Sequence, residues 1–365
     1  VGRTWIVSTK NGIDSVLNTE IPVHGKQTIV LEELWRVGGE TDDTIFGRVP
    51  RVAADPQGNI YIFDSQLCQV HIYSPEGEPL RTVFREGDGP GEVRGPRDMV
   101  LMPDGGIGLV AESLGMVKFV DAEGDPSGSF RLGATDGGNY ALMSGIGEDG
   151  SVYLTGRRSS AGENRSIRKR RNFLVRSDLD GNETAVFAES QTVRDFSNME
   201  YVERHELLPF QYAFDVSSDG RVYASLNRNK YEITAFKPDG TPEFVIEKEY
   251  SPFSRSSQDR KRFIHMIETS MEGMPFKIEV KIEESYPAIS ILNRGIQVTP
   301  DGSLWVLSGR GQRPETKGVM AFFDVFDSNG IFDRQVSLVA PHQADQVGIV
   351  LVGGNRVIVI EGYLE

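Results

Sequence analysis

The sequence predicts an all-β chain folded as a six-bladed β-propeller of four-stranded blades, and three observations predict it. Hairpin signals recur six times along the 365 residues. Five of the six are followed by a second turn at a comparable distance. The last copy lacks that second turn, so N-terminal strands are expected to complete it. Four-stranded units repeated around an axis are typical of a propeller, whereas a β-sandwich with many hairpins is the alternative.

Each unit begins with an apolar strand, a tight polar turn and a second apolar strand. A glycine in the turn supplies the positive φ that a short hairpin connection needs. The flanking residues alternate or run apolar, as strands near a core do. The six segments are 52–64, 98–112, 142–156, 212–226, 295–309 and 347–362.

A second hairpin follows the first in five copies, which makes four strands per unit. Extra residues separate the two turns in the third and fifth copies. The glycines of these second turns are Gly77, Gly124, Gly181, Gly240 and Gly330.

The N-terminal segment is expected to close the ring. Residues 4–8 and 13–17 flank an Asn-Gly turn and are predicted to form a hairpin, and either could be the third strand of the last blade. The chain is therefore expected to be one domain, 1–365, with blade six split between 1–37 and 346–362.

One insertion, 251–292, interrupts the repeats and is predicted to be helical at about 254–273. Ser256 and Asp259 have the spacing of a helix N-cap. Apolar residues at helical spacing follow them, at Phe263, Ile264, Ile267 and Met271. Residues 276–284 alternate between apolar and charged side chains, which predicts a strand after the helix.

The hairpin segments resemble NHL-type repeats. The matching stretches are DPQGNIYIFD, SSDGRVYASL and TPDGSLWVLS, and the linker 85–99 is similar to the glycine-rich linker between NHL blades. The chain also resembles bacterial exported six-bladed β-propeller proteins, in which a helical insertion precedes a stretch like 283–306. The resemblance implies this fold and export from the cytoplasm, but it implies no activity because propellers host unrelated functions.

Charge and composition exclude some classes of function. Lys and Arg number 39 against 53 Asp and Glu, and a net charge of −14 argues against nucleic-acid binding. No apolar run is long enough to span a membrane, so anchoring is expected only through a removed N-terminal segment. The single cysteine, Cys68, is predicted to be a buried small hydrophobe. We expect an extracytoplasmic location (periplasmic, cell-surface or secreted).

Connectivity separates the two faces of the predicted propeller. The tight turns all lie on one face, while the long insertions lie on the other, here called the long-loop face. Because loops on a rigid scaffold commonly carry binding residues, the long-loop face is the candidate functional face. Its insertions are 38–50, 157–171, 189–211, 251–292 and 308–318.

Two groups of basic residues are candidate binding sites. The first is a run in the 157–171 insertion, which could bind a polymer carrying phosphate, sulfate or carboxylate, could bind an acidic partner, or could pair with the protein's own acids. Its members are Arg157, Arg158, Arg168, Lys169, Arg170 and Arg171, with Arg165 nearby.

The second group precedes two inner strands. The Pro-Arg pairs at Arg51 and Arg97 have further arginines, Arg48 and Arg94, three residues earlier. They are expected near the mouth of the central channel, where they could hold an anion or pair with acids such as Asp98, Glu92 and Glu112.

Histidine usage argues against a catalytic metal. Of the five histidines, only His205 and His265 are expected on the long-loop face, and they are included as candidate binding residues. Neither has partners at metal-ligand spacing. No cofactor is predicted. The sequence therefore favours an exported, non-catalytic scaffold that binds a protein, peptide or glycan. The alternative is a propeller enzyme of lyase or lactonase type acting at the channel mouth.

Overall fold

A computed structural model describes residues 4–362 except for 11, 40–43, 112–114, 134–138, 163–165, 198–199, 272–277, 293, 345 and 354–355. Three strands precede the repeats: β1 (Trp5–Lys10), β2 (Ile13–Asn18) and β3 (Lys26–Val30).

The first two repeats form antiparallel sheets whose strands follow one another in sequence order. Blade one contains β4 (Arg51–Ala54), β5 (Ile60–Asp64), β6 (Gln69–Tyr73) and β7 (Pro79–Val83). A short parallel pair in the linker, β8 (Arg85–Glu86) and β9 (Glu92–Val93), leads to the second sheet. Blade two contains β10 (Pro96–Leu101), β11 (Ile107–Ala111), β12 (Met116–Val120) and β13 (Pro126–Arg131).

Blade three has the longest strands. They are β14 (Asn139–Glu148), β15 (Ser151–Ala161), β16 (Ile167–Ser177) and β17 (Glu183–Asp195). The connection to the next blade carries β18 (Glu200–Val202), the short helix α1 (Glu203–Glu206) and a 3₁₀ turn, Pro209–Gln211. Blade four contains β19 (Phe214–Val216), β20 (Val222–Ala224), β21 (Glu232–Phe236) and β22 (Pro242–Lys248).

The insertion follows blade four. It contains α2 (Ser257–Ser270) and β23 (Glu279–Lys281), which pairs in parallel with β18. Blade five contains β24 (Ile296–Val298), β25 (Leu304–Val306), β26 (Val319–Phe326) and β27 (Phe332–Val339). The last sheet is the two-stranded pair β28 (Gly348–Val352) and β29 (Arg356–Ile360).

The predicted hairpin turns are present where the structure describes them. Gly58 has φ +86°, and its N–H donates to the carbonyl of Asp55, whose side chain accepts from the N–H of Asn59. The aspartate thus accepts the hydrogen bonds that close the turn, and the glycine supplies the positive φ, as short hairpins require. The turn at Gly354 lies outside the described residues.

The core consists of apolar layers between successive sheets. Five layers lie between the consecutive sheets from blade one to β28–β29. A sixth layer joins Val350 of β28 to Val52 and Ile62 of blade one. Burial of both faces of each sheet therefore closes the sheets into a ring and confirms the propeller architecture.

The prediction of how the N-terminus closes the ring is wrong. Strand β2 pairs in parallel with β22, on the outer edge of blade four, and β3 pairs in parallel with β27, on the outer edge of blade five. The buried Asn18 explains this position, because its side-chain amide donates to the carbonyl of Gly330 and accepts from the N–H of Phe332.

The sequence predicts six four-stranded blades, but the described residues form five, and β28–β29 is a two-stranded sheet between the fifth blade and the first. The N-terminal segment still covers this sheet, and its described residues 31–39 form no strand there. Trp35 and Val37 pack in the same apolar layer as Ile358, and Arg36 donates two hydrogen bonds of 3.0 Å to Glu361.

Candidate functional site

The Pro-Arg pairs lie at the start of the inner strands, at one end of the central channel. The guanidinium of Arg51 is buried and donates to both carboxylate oxygens of Asp98, at 2.7 and 2.5 Å. It also donates to the carbonyl of Gly145, at 2.7 Å. The sequence left open whether Arg51 holds an anion or pairs with acids of neighbouring blades. The structure shows the pairing, through which Arg51 joins blades one, two and three.

The Asp98 carboxylate accepts all the hydrogen bonds it can usefully hold. Besides Arg51, it accepts from the hydroxyl of Ser144 at 2.6 Å, the N–H of Gly145 at 3.0 Å and the N–H of Met99 at 2.9 Å. These five hydrogen bonds occupy the lone pairs of the carboxylate, which is therefore committed to joining the blades.

Arg48 and Arg94 do not join this channel cluster. Both side chains are exposed. Arg94 donates to Asp88 and Glu86 within the linker to blade two. The backbone N–H of Arg48 donates to the buried Asp64. Glu92 pairs with Arg85, and Glu112 lies outside the described residues.

A cavity of about 160 Å³ opens at this end of the channel. Its wall includes the Pro50-Arg51 pair, Arg97 and Asp98, and it also includes residues that the sequence analysis did not single out. These are Met143, Ser144, Ile146, Gln211, Tyr212, Phe214, Ile291 and Arg294. Burial raises the pKa of the Tyr212 hydroxyl, which is therefore neutral at ordinary pH.

Arg294 is the main channel residue that sequence reasoning missed. It donates to Asp215 at 2.8 Å, and the other oxygen of Asp215 accepts from the N–H of Val298 at 2.8 Å. Its position in the repeat was the available signal, because it directly precedes the inner segment of its copy, as Arg51 and Arg97 do.

The basic run predicted to be a loop is mostly strand. β15 and β16 extend as a hairpin in which Arg157 lies opposite Asn172 and Ser159 opposite Arg170. Successive side chains of a strand point to opposite faces, so the basic residues of β16 are divided between the two faces of the sheet.

One face of this hairpin carries a cluster of three arginines around one glutamate, here called the arginine cluster. Arg157, Arg170 and Arg194 approach the carboxylate of Glu206 at 3.6, 3.3 and 2.7 Å. The Nε atoms of Arg157 and Arg194 are buried and have no hydrogen-bond partner among the described residues. Burial, and next the charge of Arg194, lower the pKa of Arg170.

The other predicted members of the run have different surroundings. Arg171 donates to Glu183 and Glu189, and Arg158 lies 5.6 Å from the centre of the Tyr140 ring. The guanidinium of Arg168 donates to the carbonyl of Ile167, and Lys169 is exposed. Arg165 lies outside the described residues. The structure thus brings only Arg157 and Arg170 of the predicted set together, and it adds Arg194.

A second cluster of charged residues, this one buried, attaches the insertion to the propeller. Glu203 is fully buried and accepts from Arg228 at 2.8 Å and from Arg255 at 2.6 and 2.7 Å. The N–H of Glu283 donates to the same carboxylate. Because Arg255 and Glu283 flank α2 and β23, this carboxylate fixes both ends of the insertion.

The helix of the insertion lies where the sequence predicts it. The hydroxyl of Ser256 accepts from the N–H of Asp259, as an N-cap does. Ile267 is the buried residue of its apolar stripe. His265 on this helix and His205 on α1 are both exposed. Among the described residues, no three His, Cys, Asp or Glu side chains converge as metal ligands would.

Neither helix of the described chain has the length and apolar character needed to cross a membrane. Cys68 is 4% exposed, as predicted, and burial raises the pKa of its thiol.

Comparisons with known proteins yield likeness in fold alone. No family model matches the sequence, and no curated protein matches it either. The structure of a DUF4221 family member from Bacteroides vulgatus aligns with a TM-score of 0.50 at 8% identity, over 88% of each chain. A candidate exported protein from Bacteroides fragilis aligns with a TM-score of 0.49 at 12% identity, over 88% of this chain and 80% of that one.

A gluconolactonase from Xanthomonas campestris aligns less well. Its TM-score is 0.43 at 13% identity, over 87% of this chain and 85% of that one. At such identities the likeness is one of fold alone, and that to the DUF4221 member agrees with the β-propeller that the described strands form.

Proposed function

We propose that the protein is an exported, non-catalytic binding scaffold whose long-loop face engages an acidic protein, peptide or glycan. The observation that carries the proposal is the arginine cluster. Three guanidiniums share the carboxylate of Glu206, which leaves a surplus of two positive charges on a chain whose net charge is −14. Such a concentration of guanidinium groups suits carboxylate, sulfate or phosphate groups.

The rigidity of the surrounding surface supports this proposal. Glu203 fixes the insertion beside the cluster, and Arg313 lies 3.8 Å from the centre of the Tyr286 ring. Tyr286 stacks on Phe253, which in turn lies 5.2 Å from the guanidinium of Arg310. Pre-organised aromatic and arginine side chains are the groups that interfaces favour.

The proposal includes the blade count and the location. It treats β28–β29 as an incomplete sixth blade of an NHL-like propeller. It places the protein outside the cytoplasm, in line with the resemblance to exported propellers and with a lone cysteine that is buried.

The alternative is a lyase or lactonase acting at the channel mouth. The channel residue Asp98 supports the binding proposal instead. It accepts five hydrogen bonds, from Arg51, Ser144, Gly145 and Met99, and the hydroxyl of Tyr212 is neutral at ordinary pH. A general base needs a lone pair free to receive a proton.

The test measures the salt needed to elute the protein from immobilised dextran sulfate, polyglutamate and neutral dextran. Wild type should bind at least one acidic polymer and not neutral dextran, and the two acidic polymers distinguish a glycan from a peptide. The variant R170Q/R194Q should elute at lower salt. The control R176Q/R221Q removes two arginines paired with Asp149 and Glu243, near the tight turns, and should elute like wild type.

Two results would contradict the proposal. One is equal retention of both double variants on the acidic polymer, with matching circular dichroism spectra. The other is turnover of a compound in a lactone and cyclic-ester panel by wild type, which would favour the enzyme alternative.

A further inference from the structure

The outer edge of β1 carries an inference that does not depend on the long-loop face. Strand β1 is the last strand of the six-stranded sheet that contains blade four, in the order β1-β2-β22-β21-β20-β19. On its outer side, no strand of the described chain pairs with it. An edge of this kind presents unpaired N–H and C=O groups, which can pair with a strand of another chain.

The unpaired groups belong to alternate residues of β1. The N–H of Thr19 donates to the carbonyl of Thr4 at 2.9 Å, so these two residues form a hydrogen-bonded pair. Because such pairs alternate along an antiparallel ladder, Trp5, Val7 and Thr9 direct their N–H and C=O groups away from β2. Within the described residues, these outward groups have no hydrogen-bond partner.

The side chains of β1 leave its edge open. Ile6 and Val7 are 56% and 54% exposed, and Ser8 and Thr9 are exposed beside them. The strand contains no proline, its pairing with β2 has no register shift, and its charged residue is Lys10, at the end. It therefore lacks the proline, the bulge and the central charge with which proteins commonly block pairing at an edge.

The outer strands of blades one to three do have such features. β7 begins with Pro79 and has Arg81 in its middle. β13 begins with Pro126, and its pairing with β12 has a register shift beside that residue. β17 pairs with β16 through two register shifts. The contrast indicates that β1, unlike these strands, is available for pairing.

Charge favours a second copy of this chain as the occupant of the edge. At a net charge of −14 two copies repel each other, so they approach most readily where acidic side chains are absent. Residues 4–10 contain no acid, and Asp14, opposite Thr9, accepts the hydrogen bond of the Thr9 hydroxyl at 2.6 Å. β3 also lies at a sheet edge, but Glu32 and Glu33 closely follow it.

The edge is self-complementary about Val7. When two copies of β1 run antiparallel with Val7 opposite Val7, Trp5 of each copy lies opposite Thr9 of the other. Each of these three pairs exchanges two hydrogen bonds, so every outward N–H and C=O group of the strand gains a partner. A two-fold axis uses the same patch of both copies, and the assembly therefore closes at two.

We propose that the protein forms a two-fold dimer through β1, with Val7 at the axis. The two β1 strands pair antiparallel, and each copy partly covers Ile6 and Val7 of the other. The interface centres on one pair of six-residue strands. Because such an interface is small, we expect weak association, with a dissociation constant in the micromolar range or above.

Sedimentation velocity over a range of protein concentrations tests the dimer. Wild type should shift from monomer towards dimer between about 1 and about 300 µM. V7K places two like charges opposite each other at the axis and should weaken association by about tenfold or more. L179K is the matched control, because it adds the same charge at a side chain that is 52% exposed in a tight turn of blade three. It should associate like wild type.

A second variant separates the loss of pairing from the loss of folding. V7P removes an N–H that faces away from β2, so the hydrogen bonds between β1 and β2 remain. The dimer loses both hydrogen bonds at its axis and should weaken as in V7K. The thermal midpoint of each variant shows whether it is folded.

Cysteine cross-linking tests the register. V7C should form a disulfide between two copies on mild oxidation, because the Cα atoms of a hydrogen-bonded pair lie about 5.5 Å apart. S8C is the control in the same strand, since in this register the two Ser8 Cα atoms lie about 8 Å apart, which is too far for a disulfide. The native Cys68 is 4% exposed and does not compete.

Three results would overturn the proposal. They are wild type that stays monomeric at the highest concentration, unchanged association in folded V7K and V7P, and loss of association in V30K but not in V7K, which would move the interface to β3. Equal cross-linking of V7C and S8C would overturn the position of the axis. R170Q/R194Q should dimerise like wild type, so this proposal and the one for the arginine cluster fail separately.

Discussion

The two glutamates at the ends of α1 have similar partners but different charge balances. Glu203 is fully buried with two arginines and a backbone N–H, and Arg228 and Arg255 also donate to carbonyl oxygens. Glu206 meets three arginines while its side chain is 14% exposed, and two Nε atoms around it have no partner in the described chain, against one, that of Arg228, around Glu203. The first arrangement fixes the fold, whereas the second retains positive charge that a ligand can use.

The largest expected effect is the loss of the Glu203 carboxylate. E203Q leaves Arg228 and Arg255 buried without an anion, and breaking a buried ion pair in this way costs about 3–5 kcal/mol. Urea denaturation should show that loss. The control E200Q removes an exposed carboxylate that pairs with Lys281, and it should cost less than about 1 kcal/mol. Similar losses in the two variants would contradict the structural role of Glu203.

Lowering the pH should reproduce part of the loss of stability that E203Q causes. Burial alone would raise the pKa of Glu203, but the hydrogen bond from Arg255 and the charge of Arg228 outweigh it and lower the pKa below the ordinary value. A group with a depressed folded-state pKa contributes stability above its unfolded pKa of about 4.3, and this stability is lost as the pH falls through the folded pKa.

The free energy of unfolding should therefore fall more steeply for wild type than for E203Q below about pH 4.5. Denaturation curves across that range measure the difference, and parallel pH profiles for the two proteins would refute it.

A smaller effect is expected at Glu206. E206Q leaves three partly exposed guanidiniums without a carboxylate, and we expect a loss of about 1–2 kcal/mol because water can reach them. The same variant raises the surplus charge of the arginine cluster, so it should elute from the acidic polymer at higher salt than wild type. Elution at lower salt would show that Glu206 itself positions the arginines for the partner.

The smallest effect is expected for Arg194. R194Q removes one of three like charges, so the lost bond to Glu206 is offset by reduced repulsion, and stability should change by no more than about 0.5 kcal/mol. R255Q is the matched variant at the other end of α1 and should cost several times more, because Glu203 is fully buried. Equal losses would remove the distinction between the two clusters.

Much of the fold follows from local sequence, because each hairpin turn carries its own signal. Asp55 and Gly58 show why, since the aspartate accepts the hydrogen bonds of the turn and the glycine adopts the positive φ. The pairing of Arg51 with Asp98 was also among the expectations, since both residues occupy the start of adjacent inner strands.

The position of the N-terminal strands could not be predicted in the same way. Alternation shows that 13–17 is a strand but not which sheet edge it joins, and every blade offers a similar edge. The deciding contact is Asn18, a polar residue whose burial between blades four and five has no local signal. The arginine cluster was missed for a related reason, because Arg194 and Glu206 approach the basic run only after β17 and α1 have folded against it.

The pairing of β2 with the outer edge of blade four also affects the order in which the protein folds. A ribosome synthesises this strand before its partners, because Ser15 hydrogen-bonds a glutamate 232 residues later and Asn18 hydrogen-bonds Gly330, 312 residues later. The nascent chain therefore exposes β1 and β2 as an unpartnered hairpin until blade four emerges. Contacts so distant in sequence slow folding, and the unpaired strand edges expose the chain to aggregation during that interval.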